Sequence, residues 1–326
     1  MTLPDISTLK QRAADTLAPH QPQAKKLILI HTGAILALNF LVLLLSVLLE
    51  RGISNTGGLR GIQIRSMLET AQMVLTFGLM IVLPFWQISW LYMMLKFARG
   101  NCAQPDDLLV GFRKFGPVLR LSLLKGLIFF GLVFAGVYAG YFVILATPMA
   151  DPLMEAMMTP NISDEAMYLA FSEALAQLEL PIMLIGGGIS LLLCAPFFYR
   201  FRQAEYFLMD HPKLGARVAL RASRQLMRGN GWRMVKLDLS YWWFWILSLL
   251  VMVVSYADML LPKLGISLPL PEDITFLAAF VLSVPLQLLL YRNCKVQVDA
   301  TYAEAYLSLI PPEQPPAPVA FPVNPQ

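Results

Sequence analysis

The chain of 326 residues is long enough for two soluble domains of the usual ~150 residues, but its composition excludes an ordinary soluble protein. Hydrophobic residues make up 57% of the sequence, the mean hydropathy is +0.61, and charged residues reach only 14%, where soluble domains carry about 25%. The abundance of Leu, Ile, Val and Phe excludes disorder over most of the length, and the net charge of +4 resides in segments between apolar runs, which indicates an anionic lipid surface rather than nucleic acid as the partner.

The first predicted element is a short amphipathic helix over residues 5–18. Its apolar face consists of Ile6, Leu9, Ala13 and Leu17, with Asp5 as a candidate N-cap. We expect this helix to lie on the membrane surface. The apolar run that follows begins at Leu27, is 23 residues long and lacks a small-residue cleavage pattern, so it is expected to be a signal anchor and not a cleavable signal peptide.

Six apolar runs approach or exceed the ~20 residues that a helix needs to cross a bilayer. They are residues 27–49, 73–95, 126–147, 180–199, 241–261 and 274–291. The predicted fold class is therefore an all-α polytopic membrane protein, with six transmembrane helices in a single domain over residues 1–310. The tail at 311–326 is rich in proline, which predicts a disordered cytoplasmic segment with polyproline character.

Several residues inside the apolar runs have more than one interpretation. Pro84, Pro285 and the Gly186-Gly187-Gly188 triplet could interrupt three helices and so line a cavity, whereas glycines more commonly allow two helices to pack closely. The polar side chains inside the runs are expected to form hydrogen bonds between helices. These are His31, Asn39, Gln87 and Gln287.

The distribution of Lys and Arg predicts the threading, because cytoplasmic segments carry the excess of these residues. Of the 25 basic residues, 21 lie before the first run, between the second and third, between the fourth and fifth, or after the sixth. The opposite side has only Arg51, Arg60, Arg65 and Lys263, and its loop at 148–179 contains six acidic residues and no basic one. Both termini are therefore predicted to be cytoplasmic.

Two further helices are predicted beside the membrane. Residues 107–124 mix apolar side chains with Arg113, Lys114 and Arg120, which predicts an interfacial helix kinked at Gly116-Pro117. On the opposite side, residues 163–180 begin with Ser163 as a candidate N-cap and acidic residues in the first turn, which predicts a short surface helix.

The strongest functional signal is a series of four arginines before the fifth apolar run. Arg217, Arg221, Arg224 and Arg228 step by 4, 3 and 4 and therefore share one helical face, and Gly229-Asn230-Gly231 predicts the end of that helix. These four residues are the candidate anionic-lipid face, where each basic residue contributes ~1 kcal/mol near a negative leaflet. The alternative interpretation is charge that only fixes the orientation of the protein.

Asp238 lies between two leucines at the start of the fifth apolar run, where an unpaired carboxylate would be costly. It is a candidate for a structural ion pair, with Arg233, Lys236 or a nearby helix N-terminus as the partner. The aromatic residues that follow predict an aromatic belt at the membrane interface. They are Tyr241, Trp242, Trp243 and Trp245.

A basic amphipathic segment precedes the first, third and fifth apolar runs. This recurrence suggests three copies of a unit in which such a helix precedes a transmembrane hairpin. Three copies predict the same local structure in the three basic segments.

Residues 208–250 contain a pattern shared with a known family. The pattern consists of Asp210, Pro212, Ala219, Ser223, Arg224, Met227, Gly229, Trp232, Leu237, Asp238, Leu239, Ser240 and Trp245. It resembles the DUF975 family of bacterial integral membrane proteins, and weaker similarity extends to Leu9–Leu17, 107–121 and Ala300–Tyr306. The resemblance implies a multi-pass protein of the bacterial plasma membrane and implies no activity.

Enzyme signatures are missing from the sequence. His20, His31 and His211 are far apart, and an HExxH motif, a phosphate-binding glycine loop and a nucleophile elbow are absent. Cys102, Cys194 and Cys294 lack the spacing of a metal site or a disulfide framework. We therefore expect no catalytic residue, cofactor or metal.

The expected function is that of a non-enzymatic membrane protein that acts through its basic cytoplasmic face. The expected partners are anionic lipid headgroups or a protein, which could be a second copy of the chain. The alternative function is a transporter or channel subunit that uses the interrupted helices.

Overall fold

The computed structural model describes residues 2–54, 59–151, 154, 164–257 and 272–310. These residues contain helices and turns and no strand, which confirms the all-α class. The α-helices are α1 (Ile6–Leu17), α2 (Gln21–Ser54), α3 (Leu59–Ala98), α4 (Val110–Arg113), α5 (Phe115–Leu145), α6 (Asp164–Phe201), α7 (Ala204–Asp210), α8 (Ala216–Leu226), α9 (Gly231–Leu239), α10 (Trp242–Ser255), α11 (Glu272–Leu290) and α12 (Val296–Leu309).

The chain divides into two compact units. Residues 1–114 and 232–326 form the terminal unit, and residues 115–231 form the central unit. A single membrane domain over residues 1–310 stays a prediction.

Helices α1 and α2 of the terminal unit form one continuous helical run from Ile6 to Val42, which includes a 3-10 turn at Ala18–His20. The helix predicted for the N-terminal segment is present, but its apolar face does not lie open for the membrane surface. Leu9, Ala13 and Leu17 are buried, and α1 packs on α12. The sequence pattern identifies an apolar face and not the partner that covers it, so a position of this helix at the membrane surface stays a prediction.

Burial changes along the length of α3. Phe85, Trp90 and Phe97 are buried near its C-terminal end, whereas Val74 and Met80 are exposed. A continuous exposed apolar surface of this kind is typical of residues that face lipid. The dense core of the terminal unit therefore lies at the end where α3, α1 and α12 meet.

The long helices α3, α6 and α11 continue through the prolines that they contain. Helix α3 passes through Pro84, α6 passes through Pro181 and Pro196, and α11 passes through Pro285. Membrane helices tolerate proline when the freed backbone groups find other partners. The interpretation of Pro84 and Pro285 as breaks is therefore wrong.

In the central unit, α5 and α6 approach each other through small residues. A Cβ atom added to Gly140 would lie 2.5 Å from Cα of Gly186, and one added to Gly136 would lie 2.3 Å from Oγ of Ser190. This close approach is the small-residue packing found between membrane helices. The close-packing interpretation is confirmed at Gly186, whereas Gly187 faces open space.

Both predicted surface helices differ from the structure. Residues 107–124 contribute to a 3-10 turn at Pro105–Leu109, to α4 and to the start of α5. Pro117 lies in the first turn of α5, where its missing N–H is not needed, so the kink expected there does not form. Helix α6 begins at Asp164 and continues into the fourth apolar run, so this segment is not a separate helix, and Ser163 lies outside the described residues.

Helices α9 and α10 meet at a bend of 63°. Trp242, Trp243 and Trp245, at the start of α10, are exposed, as belt residues need to be. Tyr241 is only 4% exposed and therefore belongs to the protein core.

Four helical runs among the described residues are long and apolar enough to cross a membrane. They are Ile6–Val42, Thr70–Ala98, Phe115–Leu145 and Leu180–Asp210, and the bent pair of α9 and α10 makes a fifth if it counts as one span. Helix α11 overlaps the sixth apolar run. The end of the fifth run and the proline-rich tail at 311–326 lie outside the described residues.

The three basic segments do not share one local structure. Helix α1 has 12 residues, α4 has four, and α8 has 11. The lengths of these helices give the threefold repeat no support, and the repeat stays a prediction.

Candidate functional site

Helix α8 carries the arginine face formed by Arg217, Arg221, Arg224 and Arg228. Gly215 precedes the helix with φ +78°, a value that favours glycine, and the helix ends at Leu226. Three of the arginines are therefore helical, and Arg228 lies in the turn beyond the helix end. All four residues are exposed.

The turn after α8 is built by the residues that the sequence assigns to the helix end. Gly229 has φ +80°, and buried Asn230 donates from Nδ2 to the carbonyl oxygen of Leu226 at 3.0 Å. A glycine with positive φ and a hydrogen bond to a terminal carbonyl are typical ends of a helix. The predicted end of the helix is confirmed. Because the last helical residue is Leu226, Arg228 lies two residues beyond the helix.

The opposite side of α8 is buried in the central unit. Ala216, Ala219, Leu220 and Ser223 form the buried face, and α8 packs against α5, α6 and α7. The Ser223 hydroxyl donates to the carbonyl oxygen of Arg200 at 3.1 Å. Because one side is held by protein, the arginines are presented on the other side with a fixed spacing.

The four arginines make no ion pair with any residue that the structure describes. In the same unit, Lys125 forms an ion pair with Glu205, with 2.5 Å between Nζ and Oε1. The arginine face is thus an uncompensated positive surface, which is the chemistry expected of a site for anionic groups.

Asp238 has a partner that the sequence analysis did not predict. Its Oδ1 accepts a hydrogen bond from the Tyr302 hydroxyl at 2.5 Å, which joins α9 to α12. Arg233 instead donates to the backbone carbonyl oxygen of Leu3. Tyr302 therefore contacts the carboxylate in addition to any charged partner, and the structural ion pair of Asp238 stays a prediction.

A group of buried polar residues on α12 was missed by reasoning from the sequence. The two carboxylates of this helix, Asp299 and Glu304, are buried together with most of its other residues. Asp299 Oδ2 accepts from Trp90 Nε1 at 2.7 Å and lies 2.9 Å from Lys295 Nζ. Burial disfavours the charged form of Lys295, but the Asp299 carboxylate outweighs this and raises the pKa of Lys295.

The same helix holds two other segments in place. The Thr301 hydroxyl lies 2.7 Å from the Tyr241 hydroxyl at the α9–α10 bend, and the Thr16 hydroxyl of α1 donates to Glu304 Oε1 at 3.1 Å. Burial raises the pKa of Glu304, although the Thr16 hydrogen bond and the charge of Arg12 act in the opposite direction. We call these residues of α12 and their partners the polar core.

Interhelical hydrogen bonding is confirmed for His31 and not for Asn39. The Trp86 indole donates to the carbonyl oxygen of His31 at 3.1 Å, and His31 Nε2 lies 3.3 Å from the Trp86 carbonyl oxygen. Asn39 instead donates to Ile35 one turn earlier in its own helix, at 2.8 Å. Membrane helices often satisfy a polar side chain within the helix in this way.

The polar core has the properties of a structural element. Its carboxylates are occupied by hydrogen-bond donors, and no group of three or more His, Cys, Asp or Glu in the described residues could hold a metal ion. The arginine face is therefore the better candidate for an interaction with another molecule.

The comparisons with known proteins agree with the resemblance in the arginine segment. No curated protein and no solved structure matches the chain. A family model described as "Protein of unknown function (DUF975)" matches residues 21–302, which includes the arginine face, Asp238 and most of the segments that form the polar core. Because this match covers most of its length, the chain belongs to the DUF975 family.

Proposed function

We propose that the protein is a non-enzymatic, six-span protein of the bacterial plasma membrane with both termini in the cytoplasm. The six apolar runs and the 21 basic residues on one side of them support this threading. The exposed apolar surfaces of α3 and α5 support a lipid environment for these helices.

The arginine face binds anionic lipid headgroups of the cytoplasmic leaflet. The observation that carries this proposal is that Arg217, Arg221, Arg224 and Arg228 are all exposed, without ion pairs among the described residues, beside a helix face that is packed into the central unit. A negative leaflet stabilises each such charge by ~1 kcal/mol, and the attraction fades within a Debye length as salt increases.

Recognition of lipid explains the face better than transport does. The transporter alternative depends on helices broken at Pro84 and Pro285, and both helices are continuous there. An acidic protein partner remains a distinct outcome of the test, since carboxylates would also pair with arginine.

The test uses the full-length protein in mild detergent and measures lipid binding by native mass spectrometry. Phosphatidylglycerol should bind more tightly than phosphatidylcholine, and the difference should shrink in high salt. Replacement of the four arginines by glutamine should weaken phosphatidylglycerol binding. The matched control replaces four exposed basic residues elsewhere with glutamine: Lys26, Arg120, Arg200 and Lys236.

Equal loss of binding in the control variant would mean that net charge, and not the arginine face, determines lipid binding. Unchanged binding in the arginine variant would refute the lipid role. In that case, an acidic protein recovered with the wild type and absent from the arginine variant would favour the protein partner.

A further inference from the structure

A second positive site lies in the terminal unit, where the first and last helical segments run side by side. Helix α1 packs on α12, and α2 packs on the π-helical turn at Tyr291–Lys295 that joins α11 to α12. Both segments depart from α-helical geometry here: the first at the 3-10 turn Ala18–His20, and the last at the π-helical turn Tyr291–Lys295. Single π-helical turns inside α-helices are frequent at functional sites.

A cleft of about 130 Å³ opens between these segments. Five polar side chains line it: Gln21, Lys25, Arg292, Asn293 and Gln297. The rest of the lining is alanine and aliphatic, and no acidic residue belongs to it. The volume corresponds to several water-sized groups, since a water molecule occupies about 30 Å³ in the liquid.

The charge of the cleft is uncompensated. The side chains of Lys25 and Arg292 form no ion pair or hydrogen bond with any residue that the structure describes. The neighbouring Lys295 shows the contrast, because its charge is matched by Asp299 at 2.9 Å. Two cations that line one cleft without an acid repel each other, so an anion is the natural occupant.

The donors suit a group with several oxygen atoms. The three amide side chains can each donate, the Lys25 ammonium and the Arg292 guanidinium add charged donors, and guanidinium groups match phosphate geometry. We propose that this cleft binds a phosphate group, supplied either by a membrane phospholipid or by a soluble phosphate compound.

The position of the cleft makes both sources accessible. Lys25 lies two residues before the apolar run at 27–49, and Arg292 directly follows the run at 274–291. Basic pockets at this level between membrane helices suit phospholipid headgroups. The phospholipid source depends on the proposed threading, whereas the phosphate chemistry does not. The cleft shares no residue with the arginine face.

The experiment uses the full-length protein in mild detergent with two probes. Native mass spectrometry measures the binding of dioleoylphosphatidylglycerol, and the shift in melting temperature measures the binding of inorganic phosphate. Removing both cations with K25Q and R292Q should weaken binding about 30-fold, since each surface charge is worth about fivefold. The matched control, K26Q with R120Q, removes two exposed cations outside the cleft lining and should leave binding at the cleft unchanged.

A second pair of variants leaves both cations in place. Ala18 is an exposed residue of the cleft lining, so Ala18→Glu adds a carboxylate at the cleft, and Ala18→Gln adds a side chain of the same shape without charge. Binding should fall with Ala18→Glu and persist with Ala18→Gln. This pair tests the site even if the loss of Lys25 and Arg292 prevents folding.

The two probes distinguish the two sources. Binding of phosphatidylglycerol alone assigns the site to lipid, and binding of inorganic phosphate assigns it to a phosphate that needs no acyl chains. Retained binding of both probes in the cleft variants would overturn the proposal. The variant without the four arginines should still bind the probes at the cleft. A result that refutes lipid binding by the arginine face is therefore distinct from one that refutes phosphate binding in the cleft.

Discussion

Because Asp299 lies in the polar core, we expect it to contribute more to the free energy of unfolding than a surface carboxylate does. Asp299→Ala would leave the buried Trp90 indole N–H without its 2.7 Å acceptor and the Lys295 ammonium without its 2.9 Å counter-charge. Loss of one partner from a buried ion pair costs about 3–5 kcal/mol, because the remaining charge stays buried without compensation. We expect Asp299→Ala to lower the free energy of unfolding by about this amount.

The assay is unfolding of the full-length protein by SDS from mild detergent micelles, followed by tryptophan fluorescence and helical circular dichroism. The double variant K295M with D299A removes both charges and should be more stable than D299A alone, because no uncompensated charge remains. Since the pKa of Lys295 is raised in the folded state, the contribution of the pair is present below its ordinary value of 10.5 and is lost only as the pH rises through the higher folded value.

Two results would refute this reasoning. A D299A protein within about 1 kcal/mol of the wild type would mean that the carboxylate is not a buried partner, since surface pairs contribute about that much or less. Additive costs of D299A and K295M would mean that the two groups do not interact.

Three other predictions concern threading, helix packing and pH. In a background without Cys102, Cys194 and Cys294, an impermeant thiol reagent outside the cell should label a cysteine introduced at Asp151 and not one introduced at Lys213; the reverse pattern would invert the topology. Gly140→Ala should destabilise the protein by about 1–3 kcal/mol in the SDS assay, because its Cβ would meet backbone atoms of Gly186 at 2.5 Å, whereas Gly187→Ala meets open space and should be neutral or stabilising by up to about 1 kcal/mol; equal effects would refute the close approach. The pKa of Glu304 is raised in the folded state above its ordinary value of 4.5, so its contribution to stability falls as the pH rises from 4.5 through the folded pKa. Glu304→Gln should therefore stabilise the protein more at pH 7 than near pH 4.5, and a difference that is independent of pH would contradict the shift.

The sequence predicts elements whose signal is local. Apolar runs predict the long helices, Gly229 and Asn230 predict the end of α8, and the arginine spacing predicts exposed residues on one side of it. Each of these features depends on neighbours within about one or two helical turns. The exposure of Arg228 agrees with the prediction although the helix ends before it.

Partners far apart in the sequence were not predictable in the same way. Asp238 and Tyr302 are 64 residues apart, and a nearby arginine is the simpler partner when only the sequence is considered. In helix α12, most residues are buried, including Asp299 and Glu304. Gln297, Thr301, Glu304 and Ser308 step by 4, 3 and 4 and share one face, which is typical of a helix with a solvated side, so the local pattern gives no signal of this burial.

The residues that match the family pattern include some with packing roles and others that are exposed. Leu237 is buried, Asp238 binds Tyr302, and the Ser240 carbonyl oxygen accepts from Lys10 at 3.0 Å, so these residues hold α9 against α12 and α1. Gly229 provides the positive φ at the end of α8. Arg224 also matches the pattern, but it is exposed and makes no contact of this kind with the described residues. Trp232, Leu239 and Trp245 also match the pattern and are exposed, so the match alone does not distinguish Arg224 from them. The proposal of an outside ligand therefore depends on the exposure of the four arginines and on their lack of ion pairs among the described residues.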